Sequence, residues 1–131
     1  MNPLSLHLVA WFGLVLLAII NGLVRENTFG RVLSTAASHA AASFLGLALF
    51  AIAVALLHRW RPLPNATQAW LVGIAWVLAT VVFEAGMGRM RGMTWPQLTA
   101  MYDISAGSLW PLLLAATLAL PPLFTWLSRL P

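Results

Sequence analysis

Four long apolar runs dominate this chain of 131 residues. They occupy positions 4–24, 38–57, 68–88 and 107–127. Each run is about 20 residues long, and as an α-helix it crosses the roughly 30 Å hydrocarbon core of a bilayer. Alanine and leucine dominate without period-two alternation, which disfavours strands. The runs predict an all-α, polytopic membrane protein: a single domain over 1–131, with four transmembrane helices in an antiparallel bundle.

The composition excludes the other common classes of protein. Only 8% of the residues are charged and 61% are hydrophobic, whereas a soluble domain carries about a quarter charged residues. All the cations are arginines, placed singly or in pairs between apolar runs, so no basic face exists for nucleic acid. The chain contains no cysteine, which excludes disulfides and thiolate metal sites. Membrane lipids are therefore the expected surroundings, and nucleic acid is not an expected partner.

The connection before the fourth run predicts an additional short helix. Thr94 and Gln97 have the spacing of a capping box, and Pro96 falls in the first turn, where its missing N–H costs nothing. Large apolar residues then recur at helical spacing: Trp95, Leu98, Met101 and Tyr102. We expect a short amphipathic helix that lies in the membrane interface between the third and fourth spans.

Local signals predict where the spans begin, end and bend. Asn65 or Thr67 is expected to cap the third helix. Pro121 and Pro122 are expected to kink or end the fourth helix near Leu120. Trp76 lies deep in its run and is expected to pack inside the bundle. The other tryptophans fall near span ends, as in an aromatic belt: Trp11, Trp60, Trp70, Trp95, Trp110 and Trp126.

Ionisable residues gather at one side of the predicted bundle. Arg25 and Glu26 end the first run, and Asp103 comes shortly before the fourth. Glu84 lies within the third run, about 6 Å from its end by the helical rise, and Arg89 follows it. A carboxylate inside a membrane is costly and normally faces a partner within the protein. We therefore predict one polar cluster at a shared membrane level.

We expect this cluster to form where the first and third helices meet. Arginine suits such a site, because its planar guanidinium can bind a carboxylate through two bonds. The expected ion pairs are Arg25 with Glu84 and Glu26 with Arg89. Spacings of three and four residues define the two faces: Leu14, Ala18, Asn21 and Arg25 on the first helix, and Gly73, Val77, Thr80, Glu84 and Gly88 on the third.

The cluster has three interpretations. It is an ion-coupling or anion-binding site, or a structural lattice that fixes helix register, or a group that contacts anionic lipid headgroups. Asn21 is expected to form an interhelical hydrogen bond. Asp103 is expected to cap the fourth helix or favour its N-terminal dipole rather than to catalyse, with Tyr102 at the interface. His39 either packs at the start of the second helix or joins the cluster as an accessory proton relay.

Two further histidines lie on the opposite side of the bundle. His7 begins the first run and His58 follows the second, so facing imidazoles could ligate a haem iron. The alternative is that both side chains snorkel to the interface. No metalloprotease, nucleophile-elbow, P-loop or dinucleotide-binding motif is present. We therefore expect no cofactor and no catalytic activity.

The second run contains a stripe of small residues. Ser38, Ala42 and Gly46 follow at intervals of four, a pattern that lets transmembrane helices approach closely. The stripe serves either packing within the chain or the seam of a homodimer.

The distribution of arginine bears on orientation. Four spans place both termini on the side of the 58–67 loop, together with Arg59, Arg61 and Arg129. The other side holds Arg25, Arg31, Arg89 and Arg91. If Arg25 and Arg89 are paired inside the protein and are not counted, the positive-inside rule favours both termini in the cytoplasm.

Three short motifs resemble those of a family of small, largely uncharacterised bacterial four-helix inner-membrane proteins. The motifs are Asn21-Gly22-x-x-Arg25-Glu26, Phe83-Glu84-x-Gly86-x-Gly88-Arg89 and Tyr102-Asp103-x-x-x-Gly107-x-Leu109-Trp110. The resemblance implies a bacterial inner-membrane location and a shared polar cluster, and it implies no activity.

Two functions are compatible with these features. The first is a small transporter or channel, expected to be a homo-oligomer because four helices leave little room for a central pathway, with the Arg/Glu cluster as its site. The second is a non-catalytic membrane accessory or assembly protein in which the cluster is structural.

Overall fold

The structure, a computed structural model, describes residues 2–100, 102–103, 105 and 109–128, with the backbone alone at 26, 30, 35, 36 and 39. The described chain contains no strand. Its elements are α1 (Pro3–Asn27), a 3₁₀ turn (Phe29–Arg31), α2 (Thr35–Trp60), α3 (Ala66–Met90), α4 (Trp95–Ala100) and α5 (Trp110–Leu127).

Four of these helices are long and apolar enough to cross a membrane. The candidate spans are Pro3–Arg25, Ala40–Trp60, Ala66–Met90 and Trp110–Leu127. This confirms the all-helical prediction with four helices of membrane-spanning type. The first three helices extend a few residues beyond the predicted bounds, because polar residues continue each helix past its apolar run.

Short polar side chains fix the starts of the first three helices. The Asn2 side chain accepts a hydrogen bond from the Ser5 N–H (2.8 Å) at the start of α1. At the start of α3, the Asn65 side chain accepts one from the Gln68 N–H (2.9 Å), so Asn65 is the cap and Thr67 lies inside the helix. These bonds satisfy N–H groups that have no partner within the helix.

The predicted capping box starts α4. The Thr94 N–H donates to the Gln97 side-chain oxygen (2.9 Å), and the Gln97 N–H donates to the Thr94 hydroxyl (3.3 Å). Leu98 is buried against Gly88 of α3, whereas Trp95 is exposed. A short helix therefore forms where the sequence predicts one, with one face packed on α3, and its place in the membrane interface stays a prediction.

α5 continues through Pro121 and Pro122 to Leu127, where the predicted span ends, so of the two expected effects of the prolines the end of the helix near Leu120 is wrong. Pro122 has no N–H, and the Leu118 carbonyl therefore loses its usual donor within the helix. That carbonyl faces α3, where a Cβ added to Gly73 would lie 2.3 Å from its oxygen. Glycine lets the two backbones approach closely at this point, in the manner of Cα–H···O contacts.

Interhelical hydrogen bonds define the packing directions. Trp76 Nε1 donates to the His7 carbonyl (2.8 Å) and Trp11 Nε1 donates to the Thr80 hydroxyl (3.0 Å), so residue numbers rise together along α1 and α3. The remaining neighbours are α1 with α2, α2 with α5, and α3 with α5. The hairpin partners α1 and α2 therefore lie side by side, and so do α3 and α5.

The interior and the outer surface of this arrangement are both apolar. All four long helices contribute to a core that contains Leu14, Val54, Val72, Trp76 and Leu120. Trp76 is 1% exposed, which confirms its predicted packing role. The outward faces expose many large apolar side chains, among them Phe12, Leu16, Phe44, Ile52, Leu78, Val82 and Leu112.

Candidate functional site

Two buried histidines meet at one end of the helices. His7 lies in the second turn of α1 and His58 in the last turn of α2. Their exposed fractions are 0% and 6%, and their ring centroids are 6.3 Å apart, with the ring planes at 77°. The interfacial snorkelling predicted as one alternative is therefore wrong, because protein covers both rings.

Hydrogen bonds assign the tautomer of each ring. His7 Nδ1 lies 2.7 Å from the Pro3 carbonyl oxygen, which can only accept, so Nδ1 carries the proton. His58 Nε2 lies 3.4 Å from the Ser128 hydroxyl, which donates its own hydrogen to the Thr125 carbonyl (2.8 Å). His58 Nε2 therefore carries the proton and donates to Ser128 through a long contact.

The second nitrogen of each ring is buried and makes no hydrogen bond among the described residues. His7 Nε2 and His58 Nδ1 are enclosed and have no hydrogen-bond partner among the described residues. The Thr125 hydroxyl oxygen, near the end of α5, is also buried and also has no hydrogen-bond partner among the described residues. Buried polar atoms without partners are rare in folded proteins and each needs a physical explanation. We call His7, His58, Thr125 and Ser128 the histidine end.

All four long helices support the histidine end. Trp76 of α3 is bonded to the His7 carbonyl and fixes the backbone of α1 beside the ring. Ser128, just after α5, orients His58. Sequence reasoning identified the two histidines but missed Trp76 and Ser128 as their supports. The only signal available was that all four positions lie toward the same side of the predicted spans.

The residues present do not fit a haem. A macrocycle needs a flat space between its two axial ligands, whereas His7 is fully enclosed and His58 nearly so. Two open grooves of about 240 and 400 Å³ lie on the helices, and neither histidine lines them. No group of three or more His, Asp or Glu side chains gathers among the described residues.

At the opposite end, Asn21 forms the interhelical bond that the sequence predicts. Its Nδ2 donates to the Ala42 carbonyl of α2 (2.9 Å), and a Cβ added to Gly46 would lie 3.0 Å from Nδ2. The small residues of α2 therefore serve packing within the chain. The expected meeting of the Asn21 face with the third helix is found in part: Thr80 of the predicted α3 face is bonded to Trp11 of α1, whereas Asn21 faces α2 and Gly73 faces α5.

The positive charge that acts on Glu84 comes from the end of its own helix, and no ion pair of Glu84 is found among the described residues. Glu84 is half-buried in α3, and the charge that acts on it is that of Arg91. The described residues include no ion pair between Glu84 and Arg25, which is half-buried in the last turn of α1. A separation of seven residues, close to two turns, brings Glu84 and Arg91 to one side of α3, whereas Arg25 belongs to another helix.

Arg89 is directed away from the bundle. Its side chain is exposed, its Nη1 donates to the Met93 carbonyl (3.1 Å), and its guanidinium lies over the Trp95 ring, 5.1 Å from the centroid. Arg89 thus links the end of α3 to α4 through a cation–π contact. Its predicted partner Glu26 lies in α1, with a side chain outside the described residues.

The remaining predicted residues are placed locally. The Asp103 carboxylate accepts a hydrogen bond from the Ser105 N–H (3.0 Å), so it stabilises a turn. α5 begins at Trp110 with Leu109 as its N-cap residue, so Asp103 is not the cap of that helix. Tyr102 is exposed. His39 lies in α2, and its side chain is outside the described residues.

No protein-family model, curated protein or solved structure matches this chain. Its class therefore rests on its own fold: an all-α chain with four helices that suit a multi-pass membrane protein.

Proposed function

We propose that this protein is a multi-pass protein of the bacterial inner membrane that works as an accessory or assembly partner of other membrane-embedded chains. Its four long helices form the spanning bundle, with antiparallel hairpins and with α4 in the interface. The bacterial location rests on the resemblance of the Asn21, Glu84 and Tyr102 motifs. The assignment to a membrane rests on the outer surface of the helices.

The outward faces carry the side chains that lipid requires. Phe12, Phe44, Leu78 and Val82 are each more than half exposed, at 69%, 69%, 61% and 71%. A soluble monomer rarely exposes contiguous apolar surface on this scale. In a bilayer these side chains contact acyl chains or the helices of a neighbouring protein, at no cost in hydration.

The accessory role is favoured by the hydrogen bonds of the interior polar side chains, which join one helix to another. Three interior side chains each donate a hydrogen bond to a neighbouring helix: Asn21, Trp11 and Trp76. These bonds hold the helices together and line no route for a polar solute. The two grooves are also lined by apolar residues apart from Thr125, which suits lipid or a partner helix better than an ion.

Glu84 supports a second candidate, a small homo-oligomeric transporter. An ionisable residue within a span is a functional hypothesis by default. Glu84 lies eleven residues, close to three turns, after Gly73 and so shares the face of α3 that approaches α5. With the charge of Arg91 acting on it, this carboxylate is the group on which ion coupling would depend.

Proteoliposomes that contain a pH-sensitive dye separate the two candidates. We compare the unaltered protein with Glu84→Gln and with the matched control Glu26→Gln, in vesicles with imposed proton and potassium gradients. The accessory role predicts proton flux equal to that of empty vesicles for all three proteins. A flux that Glu84→Gln abolishes and Glu26→Gln retains would overturn it in favour of transport.

A photocrosslinking residue in native membranes tests association directly. Placed at the outward position Leu16, it is expected to form one adduct of constant mass, whereas at the fully buried Val72 it forms none. If neither position gives an adduct and the extracted protein is a monomer, the accessory role fails.

A further inference from the structure

The unpartnered nitrogens of His7 and His58 carry an inference beyond the proposed function and independent of it. Each belongs to an imidazole whose other nitrogen is fixed by a hydrogen bond. A buried nitrogen without a hydrogen-bond partner destabilises the fold, and here two such nitrogens lie in neighbouring rings. A third species that both lone pairs contact would remove this cost.

The ring separation limits what that species is. A direct N–H···N bond of about 3.0 Å, with each ring centre about 1.2 Å behind its nitrogen, places the centres about 5.4 Å apart. Two nitrogens at about 2.0 Å from one metal ion, in line, place the centres about 6.4 Å apart. The observed separation of the ring centres is 6.3 Å, with the ring planes at 77°; this leaves room for an intervening ion and also lies within the range of an edge-to-face ring contact.

In each ring, the nitrogen that would face away from a metal makes the kind of hydrogen bond that metal-binding histidines make. A histidine that binds a metal typically donates its other N–H to a carbonyl or similar oxygen, which fixes the tautomer and aims the free nitrogen. His7 does this with the Pro3 carbonyl, and His58 with the Ser128 hydroxyl. The rings also sit on helices, and the bond from Trp76 fixes the backbone at His7.

The number of ligands identifies the kind of metal. No group of three His, Asp or Glu side chains exists among the described residues, so the four-ligand shell that zinc prefers is not formed. Imidazole is a ligand of copper, and copper(I), which also accepts softer sulfur ligands, forms stable complexes with two ligands in line. Its single charge also costs less to bury than a divalent charge does. His7 and His58 lie within two turns of the helix ends, where an ion can enter from the surface.

We propose that His7 Nε2 and His58 Nδ1 together bind one copper(I) ion between α1 and α2 at the histidine end.

Copper retention by the full chain tests the proposal. The purified protein in detergent is loaded anaerobically with copper and excess ascorbate, desalted, and analysed by mass spectrometry for metal per chain. We expect about one ion per chain, and at least a tenfold loss of affinity against a colorimetric copper(I) chelator in both His7→Phe and His58→Phe. His39→Phe, which removes the remaining histidine, is expected to retain the ion.

Thioether sulfur is the competing ligand. Met87, Met90 and Met93 follow one another at intervals of three near the end of α3, and methionine sulfur also binds copper(I). Loss of copper in Met90→Leu, with retention in both Phe variants, would overturn the proposal. So would the absence of any retained copper in the unaltered protein, which leaves a buried water or proton between the rings.

X-ray absorption of the loaded, unaltered protein decides the matter if the two Phe variants do not fold. The proposal predicts two imidazole nitrogens at about 2.0 Å and no sulfur in the first shell. A sulfur shell, or three or more nitrogens, would contradict it.

Discussion

At the scale of single residues, one amide side chain joins the first two long helices. Asn21 donates to the Ala42 carbonyl, and Gly46 leaves room for its nitrogen. Interhelical hydrogen bonds in membranes average about 0.6 kcal/mol, with a maximum near 1.7. The Asn21 oxygen has no partner among the described residues, so the amide gains less than it could.

This geometry predicts that the effect of Gly46→Ala changes sign with residue 21. In the unaltered chain the new Cβ lies 3.0 Å from the Asn21 nitrogen and competes with its hydrogen bond, so unfolding free energy falls by about 1 kcal/mol. In an Asn21→Ala background the same change is neutral or stabilising, because alanine favours helix over glycine by up to about 1 kcal/mol.

Reversible unfolding in mixed micelles measures the four corners of this double-mutant cycle. Gly13→Ala, on α1 with nothing within 4 Å of the added Cβ, controls for helix propensity in a membrane-length helix. Additive effects of the two changes at positions 21 and 46 would show that the residues are not in contact.

The sequence predicts the level of each polar residue along its helix, but it does not predict which neighbouring helix that residue faces. Asn21 and Gly73 were assigned to one shared interface, yet they face α2 and α5. In lipid, the inward and outward faces of a helix are both apolar, so periodicity says little about which face packs. Glu84 shows the same limit, because the charge that acts on it is that of Arg91 at the end of its own helix, and no ion pair with Arg25 is found among the described residues.

At the scale of elements, a proline and a glycine on different helices act together. Pro122 removes the in-helix donor of the Leu118 carbonyl, and Gly73 lets α3 approach that oxygen. Of the two effects expected from these prolines, a kink or an end, the end of α5 near Leu120 follows a rule for soluble helices. In membranes neighbouring helices compensate for proline, so the helix continues to Leu127.

Gly73→Ala is therefore expected to destabilise the protein strongly. Its Cβ would lie 2.3 Å from a backbone oxygen that cannot move aside without separating α3 from α5. We expect a loss of about 1–3 kcal/mol in unfolding free energy, the usual cost of overpacking. Gly86→Ala on the same helix meets nothing within 4 Å and is the matched control, expected to be neutral or stabilising. Equal effects at the two positions would refute the close approach.

Helix lengths were predictable because a membrane span needs about 20 apolar residues. Helix caps were predictable because a capping side chain bonds to a residue only a few positions away in the sequence. Asn65 and the Thr94–Gln97 box both form the bonds that their spacing predicts. The pairing of α1 with α3 was also expected, but its contacts, through Trp11 and Trp76, were not. Tryptophan near a span end was read as an interfacial residue, whereas Trp11 packs between helices.

At the scale of the whole molecule, the arginines no longer favour one orientation. Arg25 and Arg89 drop out of that count only if both are paired inside the protein, yet Arg89 is exposed at the end of α3, with its guanidinium over the Trp95 ring of α4. Counting it gives three arginines on each side: Arg31, Arg89 and Arg91 against Arg59, Arg61 and Arg129. The positive-inside rule then gives no direction, and the number of crossings becomes the quantity to establish.

The chain has no cysteine, so single cysteines report its topology without background. Four crossings predict that Pro62→Cys reacts with an impermeant maleimide from one side of sealed vesicles, and that Leu33→Cys and Tyr102→Cys react only from the other. All three positions are exposed in connections between the long helices. Val72→Cys, which is fully buried, is the control that must stay unlabelled until the protein is denatured. Labelling of Leu33→Cys and Tyr102→Cys from opposite sides would require an odd number of crossings between them. That result would exclude the two-hairpin arrangement, because α2 and α3 together must cross the membrane twice to return the chain to the side of residue 33.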